Sequence, residues 1–378
     1  MADDLVLAGH PFAPIGMGEH VRSVWRAFAA LGMKPGLHDI YGLCERTDPD
    51  FVRTFAAAET RDLSRRLNIF HINGDEVANA LGRINAPQTF ERAYNIIYPA
   101  WELSRYPEAW ARELERFDEV WAPSAFIRDS IAASTSKPVV HMPLAVDVRM
   151  SSFLTRRQLG LPESAFIFLF FFDFSSYLAR KNPFAVLDAF EALVARHREA
   201  PFHLVLKHKG GGGAPEDAAR LKEAIARLPS QIQVIDRTLS DNEVKNLVRA
   251  ADCFVSLHRS EGFGRGMAEA MALDVPTIAT NYSGNLDFMN ADNAWLVDCD
   301  LVPVGADEYP HPEGQHWAAP RLDSAVAQME RVWRDRAGAM AKASCARRDI
   351  AAHFSPRACG LRYVERLEAL KLGALETA

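Results

Sequence analysis

The chain has few cysteines, and their spacing does not suggest a pair. Five of them (Cys44, Cys253, Cys299, Cys345 and Cys359) are scattered through 378 residues, with no Cys-x-x-Cys motif. An odd, dispersed set argues against a disulfide framework and against a cysteine-based zinc site. It favours reduced thiols, as found in the cytoplasm.

The sequence also lacks an apolar run long enough to cross a bilayer. The longest run, residues 165–172, is only half the required length and is typical of a strand buried on both faces. No basic segment precedes the first apolar residues, so a secretory signal is not predicted. We therefore expect a cytoplasmic protein, and peripheral contact with the inner face of the membrane stays open.

An excess of positive charge is missing as well. The chain has 43 Lys and Arg against 49 Asp and Glu, a formal net charge of −6. A nucleic-acid-binding protein needs a basic face to meet phosphates, so we expect no nucleic-acid partner. The hydrophobic fraction of 48% is that of an ordinary globular protein, and the length suits two domains.

Apolar strands alternate with amphipathic helices along most of the chain, which is typical of doubly wound α/β domains. Strands are predicted at residues 5–9, 68–72, 94–98, 119–122, 139–142, 166–172, 203–207, 233–236, 253–256, 276–280 and 294–297. Helices are predicted at 19–31 and 183–196, with a loop at 302–320 and two helical patterns after it. The polar stretch 156–162 predicts a boundary between domains at 1–155 and 156–350, followed by a terminal helix at 351–378.

The most informative segment is residues 260–280, where a strand is followed by a glycine-spaced loop and a helix. Glycines allow close backbone approach, and amide groups at a helix start bind a diphosphate. Glu261 precedes this helix, and Glu269 is expected in its first turn. Carboxylates accept hydrogen bonds from sugar hydroxyls. One nucleotide sugar therefore accounts for the glycine-spaced loop, the amides at the helix start and the two carboxylates. The alternative is that Glu269 only complements the helix dipole and Glu261 is solvated.

This segment resembles the Glu-x7-Glu motif of the retaining glycosyltransferases of family 4, which have the GT-B fold. The resemblance implies two Rossmann-like α/β domains that face each other across a cleft, with a C-terminal helix crossing back to the N-terminal domain. It also implies that Glu261 lies by the donor hexose and that Glu269 binds the ribose. The same motif assigns donor contacts to Phe263, Gly264, Arg265 and Gly266, although Arg265 stands where the family usually has an apolar residue.

Residues 172–190 resemble the first strand, loop and helix of the family's donor domain. There Lys181, with Arg180 beside it, is expected to neutralise the diphosphate. The arginine common about six residues earlier is absent, because Ser175 stands near that position. Lys207 or Lys209 is a candidate for the missing charge. Further along the chain, Arg237 and Thr238 are the candidate nucleobase contacts.

In the N-terminal half, Gly16 and Gly18 match the family's loop after the first strand, which faces the donor phosphate and acceptor. Two further segments resemble those of a bacterial subgroup that builds surface polysaccharides. They provide the candidate acceptor contacts His71, Asp75, Trp101 and Glu102. For two of these residues a structural role in the core is the alternative: His71 as a hydrogen-bonded core histidine and Trp101 as a packed core aromatic.

The resulting hypothesis is a retaining hexosyltransferase that needs no metal and no cofactor. Its donor would be a nucleoside-diphosphate sugar, with mannose as the first candidate, and its acceptor a glycan or lipid-linked oligosaccharide. A nucleotide-sugar epimerase and a non-catalytic binding protein of the same fold remain alternatives. Arg61, Arg65 and Arg66, interleaved with Leu63 and Leu67, predict a basic helix face for anionic lipid, or else a solvated helix.

Overall fold

The computed structural model describes residues 4–42, 49–85, 87–226 and 230–370. The chain forms two compact units, one of residues up to Asp147 together with those from Ala351 onward, and one of Val148–Ile350. Cys44 and the predicted end of the terminal helix lie outside the described residues.

The predicted boundary after residue 155 is placed too late in the chain. Residues 151–154 already belong to the second unit, and three of their backbone amides, at positions 151, 152 and 154, donate to the side chains of Asn242 and Asn246. These amide side chains lie on a helix of that unit, so the polar connector at 156–162 is part of it.

The first unit contains one parallel sheet with the strand order β2-β1-β3-β4-β5-β6. Its strands are β1 (Leu5–Gly9), β2 (Gly36–Asp39), β3 (Leu67–Phe70), β4 (Tyr94–Ile97), β5 (Glu119–Ala122) and β6 (Val139–His141). Its first six helices are α1 (Gly16–Ala29), α2 (Pro49–Phe55), α3 (Val77–Gly82), α4 (Pro87–Arg92), α5 (Glu108–Leu114) and α6 (Ala125–Ala132). Strand β2 was not predicted, whereas the other five were.

Two predictions for this unit are wrong. Helix α1 begins at Gly16, so Gly16 and Gly18 lie in its first turn and not in a loop. Residues 61–66 form bends that lead into β3, and not a basic helix. The Ser64 hydroxyl accepts hydrogen bonds from the amides of Arg66 and Leu67, and these local bonds compete with a helix. The lipid-binding face predicted there therefore does not form.

The second unit contains a second parallel sheet, of order β12-β11-β10-β7-β8-β9, and a two-stranded antiparallel hairpin. The strands are β7 (Phe166–Asp173), β8 (Phe202–Lys209), β9 (Ile232–Asp236), β10 (Cys253–Ser256), β11 (Thr277–Thr280), β12 (Trp295–Val297), β13 (Cys299–Pro303) and β14 (His316–Pro320). The helices are α7 (Leu178–Lys181), α8 (Pro183–Arg196), α9 (Pro215–Ile225), α10 (Asp241–Ala250), α11 (Arg265–Ala272), α12 (Leu322–Arg334) and α13 (Arg336–His353).

The core of this unit explains why β7 is uniformly apolar. Phe168 and Phe170 pack with Phe190 of α8 and Met329 of α12 in one buried cluster on one face of the sheet. On the other face, Phe171 contacts Phe254 of β10. A strand covered on both faces has no need for polar alternation. The predicted loop at 302–320 is wrong, since it holds the end of β13 and the whole of β14.

The last helix, α14 (Pro356–Ala369), belongs to the first unit, as expected for a helix that crosses back. Three helical segments, not two, therefore follow the hairpin. Tyr363 of α14 donates its hydroxyl to the carbonyl of Pro143 at 2.5 Å, and Gly360 packs directly against the backbone of Ala27 in α1. Leu361 of the same helix is 50% exposed. No helix among the described residues has the length and hydropathy to cross a membrane.

Candidate functional site

The strand order of the second sheet reverses between β7 and β10, which are hydrogen-bonded neighbours. In open parallel sheets, ligands bind beyond the carboxyl ends of the strands at such a reversal. The segment after β7 carries Arg180 and Lys181, and the segment after β10 carries Glu261. The topology therefore brings Glu261 together with two residues that lie about eighty positions before it in the sequence.

Arg180 and Lys181 lie on α7, a helix of one turn with unusual backbone at both ends. Tyr177, just before it, has a φ of 63°, and Asn182, just after it, has a φ of 53°. Residues other than glycine adopt this left-handed region at a free-energy cost, and such strain concentrates at functional sites. The Asn182 side chain donates to the carbonyl of Leu257 at 2.9 Å and so fixes the turn to the end of β10.

Glu261 forms ion pairs with both cations. Its Oε1 lies 2.5 Å from Lys181 Nζ, and its Oε2 lies 3.2 Å from Arg180 Nη1. Burial raises the pKa of the Glu261 carboxyl, but the charges of Lys181 and Arg180 outweigh that effect and lower it to about 2. Glu261 is therefore a permanent anion at neutral pH, and the three charges together leave a net positive site.

The backbone of Glu261 is held by Ser283 and Gly284, which were not predicted from the sequence. Its amide donates to the Ser283 hydroxyl at 2.9 Å, and its carbonyl accepts from the amide of Gly284 at 2.9 Å. A Cβ on Gly284 would lie 2.2 Å from the carbonyl oxygen of Gly262, so only glycine fits there. The available signal in the sequence was a Ser-Gly pair that is separated from strand β11 by two residues.

The glycines of the 260–280 segment have different roles from those expected. Gly264 precedes α11 with a φ of 94°, which requires glycine. A Cβ on Gly266 would lie 2.9 Å from the Phe171 ring. This glycine therefore allows α11 to pack closely on β7, so its backbone approaches the sheet. Phe263 is 5% exposed and packs on Phe288. Glu269 lies in the second turn of α11 and not in the first.

Lys207 is a buried cation on the same face of the sheet as α11. It pairs in register with Phe171, and paired residues of adjacent strands share a face. Lys207 is 7% exposed and makes no hydrogen bond or ion pair with another described residue. Burial and the neighbouring Lys209 lower its pKa. Lys209 itself pairs with Asp173 at 3.2 Å, which makes Lys207 the better candidate for the missing positive charge.

The remaining donor candidates are placed at the edge of this region. Arg237 is exposed and pairs with Glu243 at 3.0 Å, and Thr238 beside it is exposed. Arg265 is the first residue of α11 and is partly exposed. Contact of these three with a nucleotide stays a prediction.

In the first unit, two candidate acceptor residues are buried in the core. His71 is completely buried, its Nδ1 lies 2.7 Å from Nδ1 of His20, and burial lowers its pKa to about 3. Trp101 is 1% exposed, packs on Tyr106 and Trp110, and donates its indole N–H to the carbonyl of Arg105. Neither ring has a free face for a sugar, so the core interpretation holds for both.

The other candidates of this unit have mixed outcomes. A Cβ on Gly18 would lie 2.2 Å from the carbonyl oxygen of Ala13, so this glycine lets the loop before α1 pack on the helix, whereas one on Gly16 would contact nothing. Asp75 is exposed and Glu102 partly exposed, both after strands at the carboxyl edge of the sheet. His10 and Glu76, bonded at 3.0 Å along the same edge, were not selected from the sequence.

Comparison with known proteins connects the second unit to a family. Residues 152–302 match the family model described as Glycosyl transferases group 1. This group 1 segment covers less than half of the chain, but it contains Arg180, Lys181 and both glutamates of the Glu-x7-Glu motif. Mannosylfructose-phosphate synthase of Agrobacterium fabrum is 34% identical over 104 residues, which cover 26% of this chain and 22% of that protein.

Solved structures match nearly the whole chain. Alr3699/HepE of Anabaena, crystallised with UDP and glucose, has a TM-score of 0.70 and 14% identity, and the match covers 97% of this chain and 100% of that one. Sucrose-phosphate synthase of Thermosynechococcus elongatus has a TM-score of 0.67 at 15% identity, over 97% of this chain and 99% of that one. Together with the two six-stranded parallel sheets, these matches show the GT-B fold that was predicted.

Proposed function

We propose that the protein is a glycosyltransferase that moves a hexose from a nucleoside-diphosphate sugar to a glycan or lipid-linked oligosaccharide acceptor. The observation that carries this proposal is the position of Glu261, bound by Lys181 and Arg180 where the strand order of the second sheet reverses. The match of the same residues to the group 1 segment supports it.

The charges suit the departure of a diphosphate. Cleavage of the bond between the sugar and the nucleotide leaves negative charge on the diphosphate, and fixed cations stabilise that charge as it develops. Lys181 and Arg180 supply two cations against a single carboxylate, and the buried Lys207 supplies another on the side of α11. Backbone amides at the start of α11 would add hydrogen bonds to the phosphates.

Glu261 would orient the sugar and not attack it, because both of its oxygens are already paired with cations. We propose a reaction with retention of configuration, in which an oxygen of the leaving diphosphate takes the proton of the acceptor hydroxyl. No separate base is then needed, and no metal or cofactor is required. Turnover that survives EDTA and a product with retained anomeric configuration by NMR would support this mechanism.

The donor sugar and nucleotide are part of the same proposal. Mannose is the first candidate, and the name of the Agrobacterium relative is compatible with a mannosyl donor. The HepE structure holds UDP and glucose, so UDP-glucose is tested beside GDP-mannose. We place the reaction in the cytoplasm, in the synthesis of a surface polysaccharide.

A thermal-shift panel of nucleotides and nucleotide sugars tests donor binding, because a ligand that binds the folded state raises the melting temperature. With the donor identified, Glu269→Ala should weaken its binding by about 1–3 kcal/mol, since a charged hydrogen-bond partner of the ribose is lost. Calorimetry measures this, with Glu223→Ala on the exposed side of α9 as the matched control. Unchanged donor affinity in Glu269→Ala would remove this residue from the site.

Product analysis separates the alternatives. A transferase consumes donor only when an acceptor is present, whereas an epimerase releases free sugar without one. Binding without any turnover across a panel of acceptors would favour a non-catalytic protein of the same fold.

A further inference from the structure

The hairpin formed by β13 and β14, here called the Tyr309 hairpin (residues 299–320), lies almost entirely beyond the group 1 segment, which ends at residue 302. Its strands pair in register from Cys299 with Pro320 to Pro303 with His316. The connecting loop is closed by a hydrogen bond from the amide of Val304 to the carbonyl of Gln315 at 3.0 Å. This bond continues the pairing of the two strands by one residue.

The hairpin is bonded to the segment that carries Glu261. The amide of Ala318 donates to the carbonyl of Arg259 at 2.9 Å, and the amide of Arg259 donates to the carbonyl of Arg180 at 2.8 Å. The guanidinium of Arg259 also lies 5.3 Å from the centre of the Trp317 ring. Two successive backbone bonds thus connect β14 to the cation that pairs with Glu261.

Tyr309, in the loop of the hairpin, is packed beside Arg180. The guanidinium carbon of Arg180 lies 6.0 Å from the centre of the Tyr309 ring, at the outer limit of a cation–π contact. Tyr177, the strained residue before α7, packs edge-on against the same ring at 4.8 Å. Tyr309 is 7% exposed and Arg180 is 4% exposed.

Arg180 is therefore enclosed on several sides. Its Nη1 donates to the carbonyl of Ser260 at 3.1 Å and pairs with Glu261, its Nε donates to the carbonyl of Ser176 at 3.2 Å, and the Tyr309 ring lies beside it. A long arginine side chain loses much rotational freedom in such a setting. A guanidinium that is already ordered in the free protein loses little further rotational freedom when it binds a phosphate.

We infer that Tyr309 is a positioning residue of the donor site, which holds the Arg180 guanidinium in the orientation that meets the diphosphate. The hairpin outside the group 1 segment would then tune how tightly this protein binds the phosphates of its donor. This inference rests on the proposed function. It adds a residue that does not itself touch the nucleotide.

The test compares nucleoside diphosphates with the nucleosides that lack phosphate. UDP, GDP, uridine and guanosine are titrated by calorimetry into wild type, Tyr309→Met and Tyr309→Phe. Tyr309→Met should weaken binding of the preferred diphosphate about tenfold, because the ring beside Arg180 is lost. It should change nucleoside affinity by less than about twofold, since a nucleoside has no phosphate for Arg180 to meet. Tyr309→Phe keeps the ring and should stay within about threefold of wild type.

Leu301→Ala provides a matched control, because Leu301 lies on the same hairpin and is 59% exposed. It should bind all four probes as wild type does. If Tyr309→Met does not fold, Tyr177→Met removes the ring that packs on Tyr309 from a position 44% exposed, and should weaken the same diphosphate by about threefold.

Wild-type diphosphate affinity in the folded methionine variants would overturn the inference and leave the proposed function standing. Equal losses for diphosphate and nucleoside, together with a lower melting temperature, would show a general packing role and also overturn it. A wild-type protein that binds none of a wider panel of nucleoside diphosphates would overturn the proposed function itself.

Discussion

Glu119 and Glu261 are both buried glutamates paired with arginine, yet their surroundings differ in kind. Glu119 of β5 is bonded to Arg366 of α14 at 3.0 and 2.5 Å, to the Trp121 indole at 2.7 Å and to the Tyr94 hydroxyl at 3.3 Å. It has one cation, several hydrogen bonds and no residue of positive φ beside it. This group joins the terminal helix to the sheet of the first unit.

Glu261 has more positive charge around it and less regular backbone. Two cations share its carboxylate, and they lie on a one-turn helix between two residues of positive φ. A carboxylate saturated by neutral donors and one cation stabilises a fold. A carboxylate with surplus cations on strained backbone leaves charge for a ligand. The comparison thus separates a structural ion pair from a candidate catalytic one.

The largest effect is expected from a substitution that breaks the structural ion pair between Arg366 and Glu119. Arg366→Ala should lower the free energy of unfolding by about 3–5 kcal/mol, because it leaves the Glu119 carboxylate buried beside neutral donors only. Urea unfolding measures this loss. Turnover per folded molecule should stay near that of wild type.

Two variants serve as controls for this change. Arg362→Ala removes an exposed arginine from the same helix and should change stability by less than about 0.5 kcal/mol. Adding Glu119→Gln to Arg366→Ala should recover part of the loss, since a neutral amide is less costly to bury than a charge. No recovery would mean that the ion pair is not what holds α14.

The next largest effect is expected from a substitution in the candidate catalytic group around Glu261. Lys181→Ala should reduce turnover about 100- to 1,000-fold, the usual consequence of removing one fixed charge from a transition state. Its stability should fall by less than that of Arg366→Ala, because Arg180 still pairs with Glu261. Steady-state kinetics and urea unfolding measure the two effects. Lys222→Ala, on the exposed side of α9, is the control, and a folded Lys181→Ala enzyme with wild-type turnover would contradict the assignment.

A third substitution tests whether the close packing of α14 on α1 also stabilises the position of the terminal helix. A Cβ on Gly360 would lie 2.3 Å from the carbonyl oxygen of Ala27, so Gly360→Ala should force α1 and α14 apart. We expect a loss of about 1–3 kcal/mol in the free energy of unfolding, as for other overpacked contacts. Gly82→Ala, where a Cβ would contact nothing, is the matched control.

The smallest effect is a pH dependence that belongs to Glu261. Its pKa is about 2 in the folded protein against an ordinary value of 4.5, so between these pH values the unfolded chain binds more protons. The stabilisation is complete above pH 4.5 and should be lost progressively as the pH falls below that value. Glu261→Gln should lose this part of the pH dependence. Parallel stability profiles of wild type and variant from pH 5 to pH 3 would contradict it.

The regular elements were largely predictable, because a strand buried on both faces needs a continuous apolar run. Residues 5–9, 119–122 and 253–256 were predicted with the bounds observed. The helix at 61–67 was wrong since arginines and leucines at helical spacing also suit a loop whose Ser64 bonds its own backbone. The β13–β14 hairpin was missed because its connection is rich in proline and glycine, and because β13 and β14 pair with each other outside the large sheet.

Within the site, the sequence by itself determined which residue types are present. The Glu-x7-Glu resemblance selected Glu261, and the resemblance of residues 172–190 to the family's first donor-domain strand, loop and helix selected Lys181 and Arg180. Only the tertiary structure decided that these residues pair directly, because their contact depends on the neighbouring positions of β7 and β10 in the sheet. It also decided that Gly266 serves packing and that Trp101 lies in the core, since burial depends on what the rest of the chain places around a residue.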